Sequence, residues 1–210
     1  MSLTKGLVLA ERPYVGNISP PDLFEDISRF GNNGTHYNIT WVQLTSGLWV
    51  RSFNGSTSSI NIGTPASLNI KGQFTCLAWV YSNAGSNDER IFDKFYLRLN
   101  FNTPTQVRVI ASGLASGVMN APISLGKWQL TYGGYDDTYL WTGADGARLE
   151  AVDSGSISDN STTTLRIGSK YNGADNFFDG YIWGSRIYNR ALSAQEIADL
   201  FESERRFFGV

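Results

Sequence analysis

The chain holds one cysteine and one histidine among 210 residues, and each scarcity removes a class of chemistry. A lone Cys76 excludes an intrachain disulfide. It lies in the apolar run FTCLAWVY (74–81), where a thiol behaves as a small buried hydrophobe. A lone His36, in a turn-rich stretch, cannot build a His/Cys zinc cluster, and any Ser-His-Asp triad would have to use His36 itself. Charged residues make up only 17% of the chain, no basic tract occurs and the net charge is −2, which argues against nucleic acid as a partner. No apolar run approaches the ~18 residues of a spanning helix, so membrane insertion is not expected. The opening MSLTKGLVLAERPYVG has one lysine and a short apolar run, GLVLA, too brief for a classical signal peptide. No Gly-rich loop has phosphate-binding spacing.

What the chain does contain is glycine (22 residues), aromatics (13%) and abundant Ser, Thr and Asn between short apolar runs. This is the composition of an all-β protein with many turns. Its length suits one sandwich domain, 1–210. In 74–81, Phe74, Cys76, Ala78 and Val80 share one face and Thr75, Leu77, Trp79 and Tyr81 the other. Within 91–102, Phe95, Leu97, Leu99 and Phe101 alternate with Tyr96, Arg98 and Asn100. In 106–111, Val107 and Val109 oppose Arg108 and Ile110. Asn54-Gly55 is a strong hairpin turn, and a second hairpin turns at Asp145-Gly146. Near the end, YIWGSRIY (181–188) reads as a buried strand. Ser193 with Glu196 three residues on is a capping box, and Ile197, Leu200 and Phe201 form the apolar face of a short helix. That helix is expected to plug one end of the sandwich. Five N-x-[ST] sequons, at Asn17, Asn33, Asn38, Asn54 and Asn160, are read as a by-product of polar loops.

The run GYIWGSRIYNRALSAQEI (180–197) resembles the closing signature of laminin-G-like domains of the concanavalin A-like lectin/glucanase superfamily. Looser likenesses fall in the family's order: DISRFGNNGT (26–35), the hairpin at Phe53-Asn54-Gly55, FTCLAWV (74–80), GKWQLTYGGYDD (126–137) and LRIG (165–168). The resemblance implies an antiparallel β-sandwich, a concanavalin A-like jelly roll, with one short C-terminal helix. Animal members often carry a C-terminal disulfide, which this chain cannot form. It also departs from the family at Trp183 and Gly184, where an acidic pair is usual.

Three kinds of chemistry follow for testing. Retaining glycosidases of the superfamily need two carboxylates ~5–5.5 Å apart, hence at i, i+2 or i+4 on a strand. No E-x-D-x-E run exists; Glu150 and Asp153 have odd spacing, and Asp136-Asp137 and Glu25-Asp26 are adjacent pairs in turns. An enzyme is therefore disfavoured. The resemblance implies a structural Ca²⁺, with Asp26 and the backbone around Asn32 and Gly34 as ligands; the family's C-terminal Asp is Trp183 here, and Asp26 alone reads as an Asx turn. For ligand binding, Trp79 and Tyr81 on the outward face of their strand, joined by Tyr96, Arg98 and Arg108, suit a glycan, since flat aromatics stack on sugars and Arg bridges hydroxyls. Tyr171, Phe177 and Phe178 form a second aromatic patch.

Two functional classes remain open. One is a surface binding or adhesion module for a glycan or protein partner. The other is a structural building block, such as a decoration or tail component of a phage-like particle, with homo-oligomer or capsid neighbours. Both place the protein outside a cell or on a virion surface, and the tail ESERRFFGV offers two Phe to its own core or to a neighbour.

Overall fold

The structure, a computed structural model, describes residues 3–84 and 88–210. Its strands are β1 (Leu7–Ala10), β2 (Leu23–Phe24), β3 (Gly34–Tyr37), β4 (Thr40–Gln43), β5 (Trp49–Asn54), β6 (Ser59–Gly63), β7 (Phe74–Ser82), β8 (Arg90–Asp93), β9 (Leu97–Thr103), β10 (Gln106–Ala111), β11 (Val118–Pro122), β12 (Gln129–Tyr135), β13 (Tyr139–Ala144), β14 (Ala147–Val152), β15 (Leu165–Ile167) and β16 (Asp179–Tyr188). Helix α1 (Ala194–Glu204) runs into a 3-10 turn, Arg205–Phe207.

Antiparallel pairing sorts the strands into two sheets. The first has the order β14-β13-β12-β7-β16-β5-β4, with β1 added against β16. The second has the order β11-β10-β9-β8-β15-β6-β3-β2. Between them Phe74, Cys76, Ala78 and Val80 of β7 meet Leu99, Phe101, Val107 and Val109 in one apolar core. Each such large side chain contributes roughly 1.5–3 kcal/mol by leaving water. Gly133 on β12 lets the sheets close up: a Cβ there would stand 2.7 Å from Val109.

The outer face of the first sheet is apolar as well. Leu77 and Trp79 of β7, Leu130 and Tyr132 of β12 and Trp183 of β16 form a second cluster with Leu192, Ile197 and Leu200. Helix α1 therefore lies across a sheet face instead of plugging an end, which corrects the expectation above. The capping box forms as read: the Glu196 amide donates to Ser193 Oγ (3.2 Å) and the Ser193 amide to Glu196 Oε2 (2.9 Å). The molecule is thus layered helix on sheet on sheet, and β7, central in the first sheet, is buried on both sides.

The 91–102 segment breaks its alternation. Leu97, Leu99 and Phe101 face the core, but Phe95 sits in the turn between β8 and β9 with φ +63° and is 36% exposed. A left-handed residue in a turn reverses the direction of the chain, so alternation counted through it assigns the wrong face.

Candidate ligand-binding face

The outer face of the second sheet is polar where that of the first is apolar. Because Val107 and Val109 point inward, Arg108 points outward, and its cross-strand neighbours are Asn100 on β9 and Asn120 on β11. Asn100 in turn pairs with Arg90 on β8. These four side chains make one row across four strands, roughly 14 Å long at the usual strand spacing. A parallel row runs Arg98 on β9, Asp93 on β8 and Arg166 on β15.

Asp88, just before β8, clamps the first row. Its carboxylate accepts from Arg90 Nη1 (2.7 Å) and Nη2 (2.9 Å), Asn100 Nδ2 (2.8 Å) and Arg108 Nη2 (2.6 Å). Charge-assisted bonds of this kind fix orientation as well as position. Gly173, at φ +71°, lets the 170–175 loop lie against Arg166; a Cβ there would come within 2.7 Å of the guanidinium carbon. Burial pushes the Asp93 carboxyl above its ordinary range and the Arg98 and Arg166 guanidiniums below theirs.

Hydrogen-bonding capacity is left over on this face. Asn100 Oδ1, Asn120 Oδ1, Arg108 Nε and Arg166 Nε are buried atoms with no hydrogen-bond partner among the described residues. Arg90 Nε lies 2.9 Å from Asp93 Oδ2, an ion pair too far out of line for a hydrogen bond. Leaving a buried donor or acceptor unpaired costs about 1–3 kcal/mol. The part-buried guanidiniums of Arg98 and Arg108 on the same face are donors that suit hydroxyl groups.

The five predicted ligand residues do not form one patch. Arg98 and Arg108 lie on this face. Tyr96 flanks it, packed partly against the core, with its ring 4.5 Å from Phe95. Trp79 and Tyr81 lie on the other sheet. Trp79 is 0% exposed: its ring stacks on Phe208 (4.4 Å) and Phe201 (5.5 Å), and its Nε1 donates to Glu204 (2.8 Å). Tyr81 is half-buried against Trp128 and Tyr181. Of the second predicted patch, Phe178 is buried edge-on to Phe53 and Tyr171 lies 4.9 Å from Phe95. Sequence reasoning missed Asp88, Arg90, Asn100, Asn120 and Arg166 as site residues. Polar side chains alternating with Leu and Val in RLNF and QVRVI were the signal for the strands; no such signal exists for Asp88, which reaches the face from a loop.

A groove of about 570 Å³ lies on the first sheet between Gln43, Leu44, Trp128 and Arg206 to Gly209. Its aromatic floor is already covered by the chain's own tail, Phe208 lying 4.5 Å from Trp128 and 5.6 Å from Trp183. The polar face on the second sheet is the better candidate, because Arg98 and Arg108 remain partly exposed on it.

The residues that the family resemblance offers to Ca²⁺ do not fit that ion. Asp26 Oδ1 accepts from the amides of Ala10 (2.8 Å) and Ser28 (2.8 Å), and Oδ2 from Ser28 Oγ (2.7 Å) and the Asn32 amide (2.6 Å). The Asn32 side chain bonds Val8 and Ser67, and Gly34 packs against Ile60 and Ile62. Four donors occupy the lone pairs a cation would need. Together they tie β1 to the 26–34 loop. Addition of calcium or of a chelator should leave the melting temperature unchanged, whereas Asp26→Ala should destabilise the fold by about 2–4 kcal/mol through orphaned amides. A calcium-dependent rise in melting temperature would reverse that reading.

Other carboxylates are also structural. Glu150 pairs with Arg148 (2.7 Å). Asp153 accepts from Ser116 Oγ (2.8 Å) and the Gly117 amide (2.9 Å), and Asp136 caps its turn through the Thr138 and Tyr139 amides. Among the described residues no group of three His, Cys, Asp or Glu could hold a metal ion.

A family model for laminin G domains, described as concanavalin A-like lectin/glucanases superfamily, matches residues 54–198, more than half of the chain. No curated protein matches the sequence. Among solved structures, the chain is similar to the binding domain of Paraclostridial Mosquitocidal Protein 1, with TM-score 0.74 and 17% identity, over 99% of this chain and 56% of that one. It is also similar to domain 4 of AbnA, a GH43 extracellular arabinanase from Geobacillus stearothermophilus solved with arabinotriose (TM-score 0.58, 18% identity, 78% of this chain and 81% of that one). A third is the binding domain of botulinum neurotoxin DC in complex with SialylT (TM-score 0.64, 10% identity, 96% of this chain and 52% of that one). The chain spans about half the length of the two toxin binding domains. At these identities the likeness establishes the fold.

Proposed function

The chain belongs to the laminin G family of the concanavalin A-like lectin/glucanases superfamily, and from that membership we propose a non-catalytic module that binds a glycan on the outer face of its second sheet. The observation that carries the reading is the row of polar side chains, Arg90, Asn100, Arg108 and Asn120, that crosses four strands on one face of one sheet and is oriented by Asp88. Sugar hydroxyls would bond the exposed part of the Arg108 guanidinium. Similar folds solved with arabinotriose and with SialylT support the choice of a glycan over other hydroxylated ligands. The carboxylates that hydrolysis would need are engaged in turns and ion pairs, which supports a role without catalysis. Display outside a cell or on a virion would suit such a module. The exposed Leu149 and Val152 on the edge strand β14 are where a neighbouring subunit would sit.

Screening on immobilised oligosaccharides tests this. The wild-type protein should bind at least one glycan of the panel, and Arg108→Ala should weaken that binding at least about tenfold, the loss expected for one charge-assisted bond. Melting curves check that the variant remains folded. No glycan binding, or full binding by Arg108→Ala, defeats the proposal.

A further inference from the structure

One residue beside this face stands where its backbone does not favour it. Phe95 has φ +63°, a region that side chains of its bulk rarely adopt and that glycine enters freely. Burial does not offset the strain, because the ring is 36% exposed. The conformation is held from several directions. Asp93 Oδ1 accepts from the Phe95 amide (2.7 Å), the Tyr96 amide donates to Lys94 O (2.8 Å), and Lys94 N donates to Leu97 O (2.9 Å). Beneath the turn, Lys94 is buried, its ammonium donating to the Thr163 carbonyl, while Asn160 Nδ2 donates to Lys94 O (3.4 Å). Arg98 Nε donates to Phe95 O (2.8 Å), so the turn is joined to the polar face itself. Strain that the surroundings over-determine marks functional positions more often than chance positions.

The ring is set among others. Tyr96 lies 4.5 Å away at 64° and Tyr171 4.9 Å away at 71°, both edge-on. Three aromatic rings thus stand at one margin of the polar face, next to Arg98. We propose that Phe95 is the stacking residue of the glycan site, seating the apolar C–H face of a sugar ring while Arg98 and the row behind it engage the hydroxyls. Binding sites of this kind combine an apolar platform with a few placed polar groups. An aromatic face carries partial negative charge and a sugar C–H face partial positive charge, so the two attract beyond simple burial. This inference rests on the glycan-binding reading and adds to it the ring-stacking mode and the residue that provides it.

Phe95→Gly separates a binding role from a structural one, since it relieves the strain while removing the ring. Immobilised arabinotriose, cellotetraose, chitotriose and sialyllactose serve as probes. Phe95→Gly should melt about 2–4 °C higher than wild type and bind the wild type's preferred probe at least about tenfold more weakly. Phe95→Trp should bind within about threefold of wild type. Full binding by Phe95→Gly, or a lower melting temperature for it, overturns the proposal. If Arg108→Ala loses binding and Phe95→Gly does not, only the stacking role falls. If the wild type binds none of the four probes, both readings fall.

Discussion

Replacing Arg51 by methionine is expected to lower the unfolding free energy by about 3–5 kcal/mol, the cost of leaving a buried charge without its partner. Arg51, on β5, is 1% exposed, and its guanidinium bonds the carboxylate of Glu11, equally buried. It also lies over the rings of Trp41 (4.3 Å) and Phe24 (5.1 Å), and its Nε donates to His36 Nε2 (3.0 Å). Glu11 has a second tie, accepting from the Ser185 amide (3.1 Å). Without Arg51, Glu11 remains in a core that cannot solvate it. The double variant Arg51→Met with Glu11→Gln should recover much of the loss, since an uncharged amide can keep the bond to Ser185. Chemical denaturation of the three variants measures this. Equal stability of wild type and Arg51→Met would show that the pair contributes nothing.

The same network predicts a pH dependence. Because His36 Nε2 accepts from Arg51, the imidazole proton sits on Nδ1, which faces Asp22 (3.2 Å). Burial first, and then the charge of Arg51, pull the His36 pKa down to about 4 from its usual 6.5. The unfolded chain takes up a proton below about pH 6.5 that the folded chain refuses until about pH 4. The His36 contribution to stability should therefore be flat above about pH 7 and fall between about pH 6.5 and 4, by roughly 2 kcal/mol. His36→Gln, which can still accept from Arg51, should flatten that part of the curve.

Trp79→Ala carries the second large effect. The side chain is fully buried, stacked on Phe208 and Phe201 and bonded to Glu204, which also pairs with Arg186. Truncation opens a cavity and strips the anchor under the C-terminal helix, at a cost of about 3–5 kcal/mol. The milder Trp79→Phe should stay folded and bind glycan as the wild type does, because residue 79 is on the sheet opposite the polar face. Loss of glycan binding in folded Trp79→Phe would return the site to the first sheet. Thermal melts and binding to the same probes separate the outcomes.

These variants show where the sequence was legible. The alternation in 74–81 placed Cys76 and its neighbours in the core, and it also put Trp79 on the outer face, where the residue does lie. What alternation could not say is whether that outer face meets water. The warning was present: Leu77, Trp79, Leu130 and Tyr132 all point outward, and such a face needs a cover. The amphipathic stretch after Ser193 was the cover, but only docking in three dimensions joined them. For the polar face, Arg98 and Arg108 were readable as outward residues on their strands. Asp88 was not, because a loop residue's position depends on how the strands around it are ordered.

Local chemistry was thus enough to determine the all-β class, the hairpin at Asp145-Gly146, the capped final helix and the inward and outward faces of the main strands, whereas Asn54-Gly55, read as a hairpin, instead carries the chain from β5 in the first sheet to β6 in the second. Those features depend on spacing and on turn residues, which are properties of neighbours along the chain. The tertiary structure alone decided that Trp79 is covered, that Asp26 is surrounded by four protein donors, and that Arg90, Asn100, Arg108 and Asn120 line up across four strands. Each of these is a contact between distant segments, set by strand order and by how the layers stack.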